Sequence, residues 1–242
     1  MKRIHKVAVL GAGTMGARIA AHFANAGVPS YLLDMVPPDA DKPMRNKIAA
    51  GGLEAAKKSK PAAFFDTSLA NLVTVGNSED DLKKVAEVDW IIEAVVENLE
   101  IKRDLLKKVE AVRHPGTIIT TNTSGLPVAK ISEGFSDDFR RCWFGTHFFN
   151  PPRYMRLLEL IPTPETDRAL LESVERFADV RQADQLDGPP QWRTGDHPQQ
   201  HRDPTPDPPP ALAEPVERRR DQPRECRKIA AQRCRALHRI TF

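Results

Sequence analysis

The chain has 242 residues, 40% of them hydrophobic, and a formal net charge of +3, so a sizeable core is within reach and nothing gives a footprint for nucleic acid. No apolar run of about 18 residues offers a membrane span. Cys142, Cys226 and Cys234 lack metal-ligand spacing, and Met1–Lys6 leads into a strand pattern rather than a signal peptide, so a cytoplasmic protein without a metal is expected.

The first element is "KVAVL", Lys6–Leu10, a short apolar run that ends at glycine and reads as a strand. Residues 11–27 follow with Met15, Ile19 and Phe23 at helical spacing until Gly27 stops the helix. "VPSYLLD" gives a second strand ending at Asp34. Between Pro37 and Asn71 lies a lysine- and alanine-rich insert, expected as two helices standing off the sheet. "LVTV", "VDWIIEAVV", "TIITTNT" and "RCWFGTHFF" then repeat the strand pattern, with a helical stretch over Leu99–Val112. Cys142, inside the last of these runs, reads as a small buried hydrophobe. The alternation predicts an α/β fold: a Rossmann-type doubly wound, mostly parallel sheet with right-handed crossovers.

Composition changes at Arg181. Up to and including it stand 13 lysines and 12 arginines; from Gln182 to Phe242 there are one lysine, 10 arginines and 10 prolines. Those prolines remove backbone donors and forbid helix interiors, so residues 182–242 are expected to be a largely disordered tail. Residues 1–181 form the single predicted domain. Within the tail only residues 214–237 are helix-compatible, and any helix there would be marginal.

Gly11, Gly13 and Gly16 fit G-x-G-x-x-G after a strand and at the start of a helix. The first glycine allows a tight turn, the second lets backbone approach a pyrophosphate, and the third brings helix onto strand. Thr14 and Met15 open the helix whose N-terminus would take the phosphates. Asp34, at the end of the second strand, would accept hydrogen bonds from the adenosine ribose and repel a 2′-phosphate, so the expected cofactor is NAD rather than NADP. His147 beside two phenylalanines reads by itself as a core residue. With a nicotinamide near the carboxyl ends of the later strands, an acid–base role becomes the expectation.

Four stretches in order, "GAGTMG" with Asp34, "EAVVENLEIKRDL", "TNTSGLP" and "GTHFFNPPRYMRLLEL", resemble the 3-hydroxyacyl-CoA dehydrogenases from about residue 5 to residue 181. The resemblance implies NAD-dependent oxidation of a 3-hydroxyacyl-CoA to the 3-ketoacyl-CoA, as in fatty-acid β-oxidation. It puts the catalytic histidine at His147, its acidic partner at Glu159, and a serine bonding the substrate oxygen at Ser124. It further implies Glu97 and Lys102 near the nicotinamide, although charges opening a helix are commonly just solvated. Asn122 falls beside the cofactor and Asn150 beside the substrate, with turn residues as the plain reading of both. Lys57 and Lys58, in a cluster with Lys60, stand where relatives approach CoA, the alternative being a solvated lysine face.

Family members are usually homodimers or fused to an enoyl-CoA hydratase, and their second, mostly helical domain is not recognisable after Arg181. The tail has the composition of a gene read out of frame, with a genuine extension as the alternative, and an inactive chain is expected. Leu157–Ile161 and Leu170–Val180 are then expected to face water. The rival readings are a non-catalytic NAD-binding module and the short-chain 3-hydroxyacid dehydrogenases, which use a lysine instead of a His–Glu pair.

Overall fold

A computed structural model describes residues 2–155, 157–186 and 238–241. The aliphatic runs become strands: β1 (Val7–Leu10), β2 (Ser30–Asp34), β3 (Val73–Asn77), β4 (Trp90–Glu93), β5 (Ile118–Thr121), β6 (Trp143–Phe148), β7 (Leu157–Pro162) and β8 (His238–Thr241). Between them run α1 (Thr14–Asn25), α2 (Lys47–Lys57), α3 (Leu99–Val112), α4 (Val128–Ile131), α5 (Asp137–Arg141) and α6 (Arg168–Leu186). The sheet order is β3-β2-β1-β4-β5-β6-β7-β8. All pairs from β3 to β6 are parallel, and β7 and β8 are added antiparallel. The first six strands therefore follow the dinucleotide-binding order, with its switch point between β1 and β4.

Alternation along each strand divides the core in two. Val7, Val9, Leu32, Trp90, Ile92 and Phe144 pack under α1, α2 and α6. Ala8, Leu10, Leu33, Ile91, Ile119 and Trp143 pack under α3, α4 and α5. A strand buried on both faces needs a continuous apolar run, which is why β1 and β4 read as such in the sequence. Each fully buried Val, Leu or Ile contributes about 1.5–3 kcal/mol. The helix α3 begins where the Asn98 side chain accepts a hydrogen bond from the Ile101 amide at 3.0 Å, which satisfies one of the orphan donors of the first turn.

Several expectations are corrected here. The insert holds one α-helix, α2, flanked by 3-10 helices of three and six residues, instead of two. It does not stand off the sheet: Ala49 and Ala56 are buried, and the small residues of α2 let it lie close against α1. Nor do the segments expected to face water do so. Leu158, Leu160, Leu171, Val174 and Ala178 are buried in the core under α1. Phe177 supplies the reason, since its ring packs with those of Phe23 and Trp90 at centroid distances of 5.9 and 6.2 Å.

The helix α6 runs on past Arg181 to Leu186, and "RQADQL" is made of residues that helices tolerate well. Residues 238–241 pair with β7 as a further strand. The remaining expectations for the tail fall on residues 187–237 and 242, outside the described residues. Cys142 is buried as expected, but at the end of α5 just before β6.

His22, on the inner face of α1, is buried edge-on to Phe148 at a centroid distance of 6.4 Å, and its Nδ1 has no hydrogen-bond partner among the described residues. Burial disfavours the imidazolium and pushes the pKa from 6.5 to about 4. The unfolded chain therefore takes up a proton that the folded one refuses, so the stability contributed is fully present above pH 6.5 and is lost as pH falls towards 4. Across that window the loss is on the order of 3 kcal/mol. Urea unfolding at stepped pH should show this fall in the parent chain and a flatter profile in His22→Leu. Parallel profiles would remove His22 as the cause.

Candidate active site

At the end of β1 the chain turns through Gly11, which has φ +102°. A Cβ there would lie 2.7 Å from the Ala94 carbonyl oxygen, beyond the end of β4. A Cβ on Gly16 would overlap the Gly11 carbonyl oxygen, so only glycine lets α1 sit this close to β1. Gly13 has nothing near its missing side chain and faces open space. Gly11 thus makes the turn and Gly16 the close contact of helix and strand. No side chain caps α1 at Gly13 and its first turn holds no acid, which leaves the amides around Thr14, Met15 and Gly16 as a cradle for an anion.

Asp34, at the end of β2, accepts hydrogen bonds from the amides of Ala12 and Met35. They hold its carboxylate beside the glycine turn, where a ribose would lie. One member of this region escaped the sequence reading. Gly52 brings α2 against the turn so closely that a Cβ would overlap the Ala12 carbonyl oxygen. Its signal was the Gly51-Gly52 pair inside an otherwise helical alanine-rich run.

At the ends of β4 and β5 an ionic cluster takes over. Lys102, on the inner face of α3, is 1% exposed and donates to Glu93 Oε1 and Oε2 at 2.8 and 3.0 Å. It also lies 3.4 Å from Glu97 Oε2. Glu93, itself 0% exposed, takes further hydrogen bonds from Thr121 Oγ1 and the Val95 amide, both at 2.7 Å. Glu97 is 41% exposed. Its Oε1 accepts from the Thr123 hydroxyl and from the amides of Ser124, Gly125 and Leu126. Burial pushes the Glu97 carboxyl up, but the bonds from Thr123 and Gly125 and the Lys102 ammonium outweigh it and hold the group below the ordinary range. Lys102 is thus enclosed by carboxylates, Glu97 clamps the loop that carries Ser124, and Glu93 is a buried acid that the sequence reading passed over.

The next strand carries the histidine. His147 on β6 pairs directly with Glu159 on β7, and Nδ1 lies 3.0 Å from Glu159 Oε2. Directly paired residues share a face of the sheet, so the register itself makes the dyad. The Phe149 ring stands 4.6 Å from the imidazole, centroid to centroid. Asn122 accepts from the Phe148 amide at 2.9 Å and so ties the end of β5 to the strand of His147. Asn150 accepts from Arg18 of α1.

Lys57 and Lys58 close α2, where Lys57 pairs with Glu54 at 2.6 Å and Lys58 is exposed. The structure brings together Glu97, Ser124, Asn122 and His147 with Glu159 along the edge formed by the carboxyl ends of β4 to β6 and the amino end of β7, and leaves these lysines on a separate helix. From Asp34 on β2 to the end of β5 is three strand spacings, roughly 14 Å. An extended dinucleotide anchored at Asp34 and crossing the glycine turn therefore reaches the Glu97–Ser124 region, one strand short of His147. Among the described residues no three metal-ligating side chains cluster, and no helix is long and apolar enough to cross a membrane.

Comparison with known proteins identifies the family. The family model for the NAD-binding domain of 3-hydroxyacyl-CoA dehydrogenase matches residues 6–183. A probable 3-hydroxyacyl-CoA dehydrogenase of Deinococcus radiodurans is 53% identical over 177 residues, covering 73% of this chain and 51% of that protein. Its namesake in Bacillus subtilis is 44% identical over 190 residues, covering 74% of this chain and 24% of that one. The chain thus spans half or less of the length of these relatives. Some further relatives are multifunctional, named as trifunctional enzymes of a fatty acid oxidation complex. The crystal structure of FadB2 from M. tuberculosis superposes with a TM-score of 0.60 at 28% identity, over 75% of this chain and 62% of that one. Since the match takes in every strand from β1 to β7 together with the glycine turn and the His147 strand, the chain belongs to the 3-hydroxyacyl-CoA dehydrogenase family and carries its NAD-binding domain.

Proposed function

We propose that this site oxidises a 3-hydroxyacyl-CoA to the 3-ketoacyl-CoA, with NAD as acceptor. The observation that carries the reading is the His147–Glu159 pair, 3.0 Å apart at the mouth of a dinucleotide cleft. Oxidation of the C3 alcohol removes a hydroxyl proton as well as hydrogen from carbon. Nδ1–H of His147 donates to Glu159, which leaves Nε2 with the lone pair that takes the hydroxyl proton. Glu159 fixes this tautomer and stabilises the imidazolium that results. When bound, the cofactor supplies the two-electron acceptor.

Ser124, presented by the loop that Glu97 clamps, binds the substrate oxygen and aligns C3. Phe149 limits ring movement and shields one side of the imidazole from water. Asn122 stands beside the nicotinamide and sets the spacing of the two strands, and Asn150, held by Arg18, borders the acyl group. Lys57 and Lys58 offer positive charge to the phosphates of the CoA moiety. The substrate partner is an acyl-CoA, and the reaction class that supplies it is hydration of a 2-enoyl-CoA.

Reduction of acetoacetyl-CoA by a parent chain to which the family's second domain has been restored, followed by loss of NADH absorbance, tests the assignment. His147→Gln and Glu159→Gln should each lower kcat by about 10² to 10⁴ while NADH affinity stays nearly unchanged. The double variant should be little worse than either single one, because members of a catalytic unit are not additive. Fully additive losses would separate the two residues. Absence of turnover in the parent chain, with NADH bound normally, would favour a non-catalytic NAD-binding module.

The second test concerns the cofactor. Asp34 beside the glycine turn should make NADPH bind at least about fivefold more weakly than NADH, since a carboxylate facing a 2′-phosphate costs about 1–4 kcal/mol between water and intermediate dielectric. Fluorescence titration with both nucleotides measures this. Equal affinities would remove Asp34 from the ribose site.

A further inference from the structure

The ionic cluster at the ends of β4 and β5 has an unbalanced charge. Two carboxylates, Glu93 and Glu97, share one ammonium, that of Lys102. Glu93 and Lys102 are closed off from solvent and bonded to each other twice, so they cancel. The surplus negative charge therefore resides on Glu97, the outer member, which is 41% exposed. Four hydrogen bonds from the Thr123–Leu126 loop keep that carboxylate in place.

A fixed charge near a nicotinamide does not act equally on its two redox forms. The oxidised ring carries a positive charge, and the reduced ring is neutral. We infer that Glu97, anchored through Lys102 to the buried Glu93, is a specificity-determining residue that makes the cleft prefer oxidised over reduced cofactor. The inference rests on the cofactor placement described above, in which a dinucleotide anchored at Asp34 brings its nicotinamide over the ends of β4 and β5. Lys102 and Glu93 are positioning residues in this scheme. Without Lys102 the Glu97 carboxylate would lose its fixed orientation, and without Glu93 the ammonium would cancel Glu97 instead.

Glu97→Gln is nearly isosteric and its amide oxygen can still accept from Thr123 and Gly125, so the loop should survive. Calorimetric titration of the full chain with NAD and with NADH, at low and high salt, gives both dissociation constants. In Glu97→Gln the affinity for NAD should fall roughly fivefold relative to that for NADH, a difference that shrinks as salt rises. Glu97→Asp, which keeps the charge, should restore most of the preference. Glu100→Gln, which removes an exposed acid of the α3 first turn outside the cluster, should leave the ratio unchanged. If Glu97→Gln weakens both forms by the same factor, Glu97 only supports the loop and the inference falls, while the cofactor assignment stands. Failure of the parent chain to bind either form would overturn the cofactor placement and the inference with it.

Discussion

The approach of α1 to β1 at Gly16 is the contact from which the functional half of the molecule is built. With no Cβ in the way, the helix backbone packs directly over the Gly11 carbonyl, and the turn between them is pulled under the end of β4 at Ala94. Any larger residue at 16 would push the helix outward, because the obstacle is backbone and cannot rotate away. The uncapped first turn of α1, the amide of Ala12 that fixes Asp34, and the seat of α2 at Gly52 all take their positions from that contact. In the proposed reading, phosphate recognition is therefore a matter of backbone placement, with Asp34 supplying the selectivity.

From this anchor the cleft extends strand by strand, and each step has its own tie. Ala94 N–H bonds to Leu10 O at 2.8 Å, joining the ends of β4 and β1. Asn122 N–H bonds to Glu93 O at 2.7 Å, joining β5 to β4. The Asn122 side chain then replaces the ladder where β5 has ended and holds Phe148 on β6. A Rossmann-type sheet ordinarily frays into loops at this edge. Here hydrogen bonds continue past the strand ends, so the Ser124 loop and His147 share one rigid frame.

The strands, the glycine turn and Asp34 were legible in the sequence because each depends on local pattern: apolar runs, glycine spacing, a strand-terminal acid. The separation of His147 and Glu159 was not legible as geometry, since twelve positions along a chain say nothing about distance until an antiparallel register pairs them. Only the resemblance named the pair. Lys102 was placed near the nicotinamide by resemblance alone, with a solvated helix-opening charge as the alternative, yet with Leu106 and Val109 it occupies the inward stripe of α3, and a cation in such a stripe signals a buried partner. That partner, Glu93, lay hidden at the end of an apolar run. The reading of Leu157–Ile161 and Leu170–Val180 as water-facing failed for a different reason. It took their covering from a domain after residue 181, whereas α6 and β7 cover each other within the fold, sealed by Phe177.

Because the ladder between β6 and β7 sets the dyad, the loop that joins these strands does not fix the separation of its two members. Residues 149–155 can change in sequence, or gain an insertion, without altering the His147–Glu159 separation, provided the rungs Phe144–Pro162 to Phe148–Leu158 stay in register. A slip of one residue would be far more damaging than any loop change, for it would send Glu159 to the opposite side of the sheet. The acid–base pair is thus robust to variation in the segment that borders the substrate, and that segment is free to diversify in what it recognises.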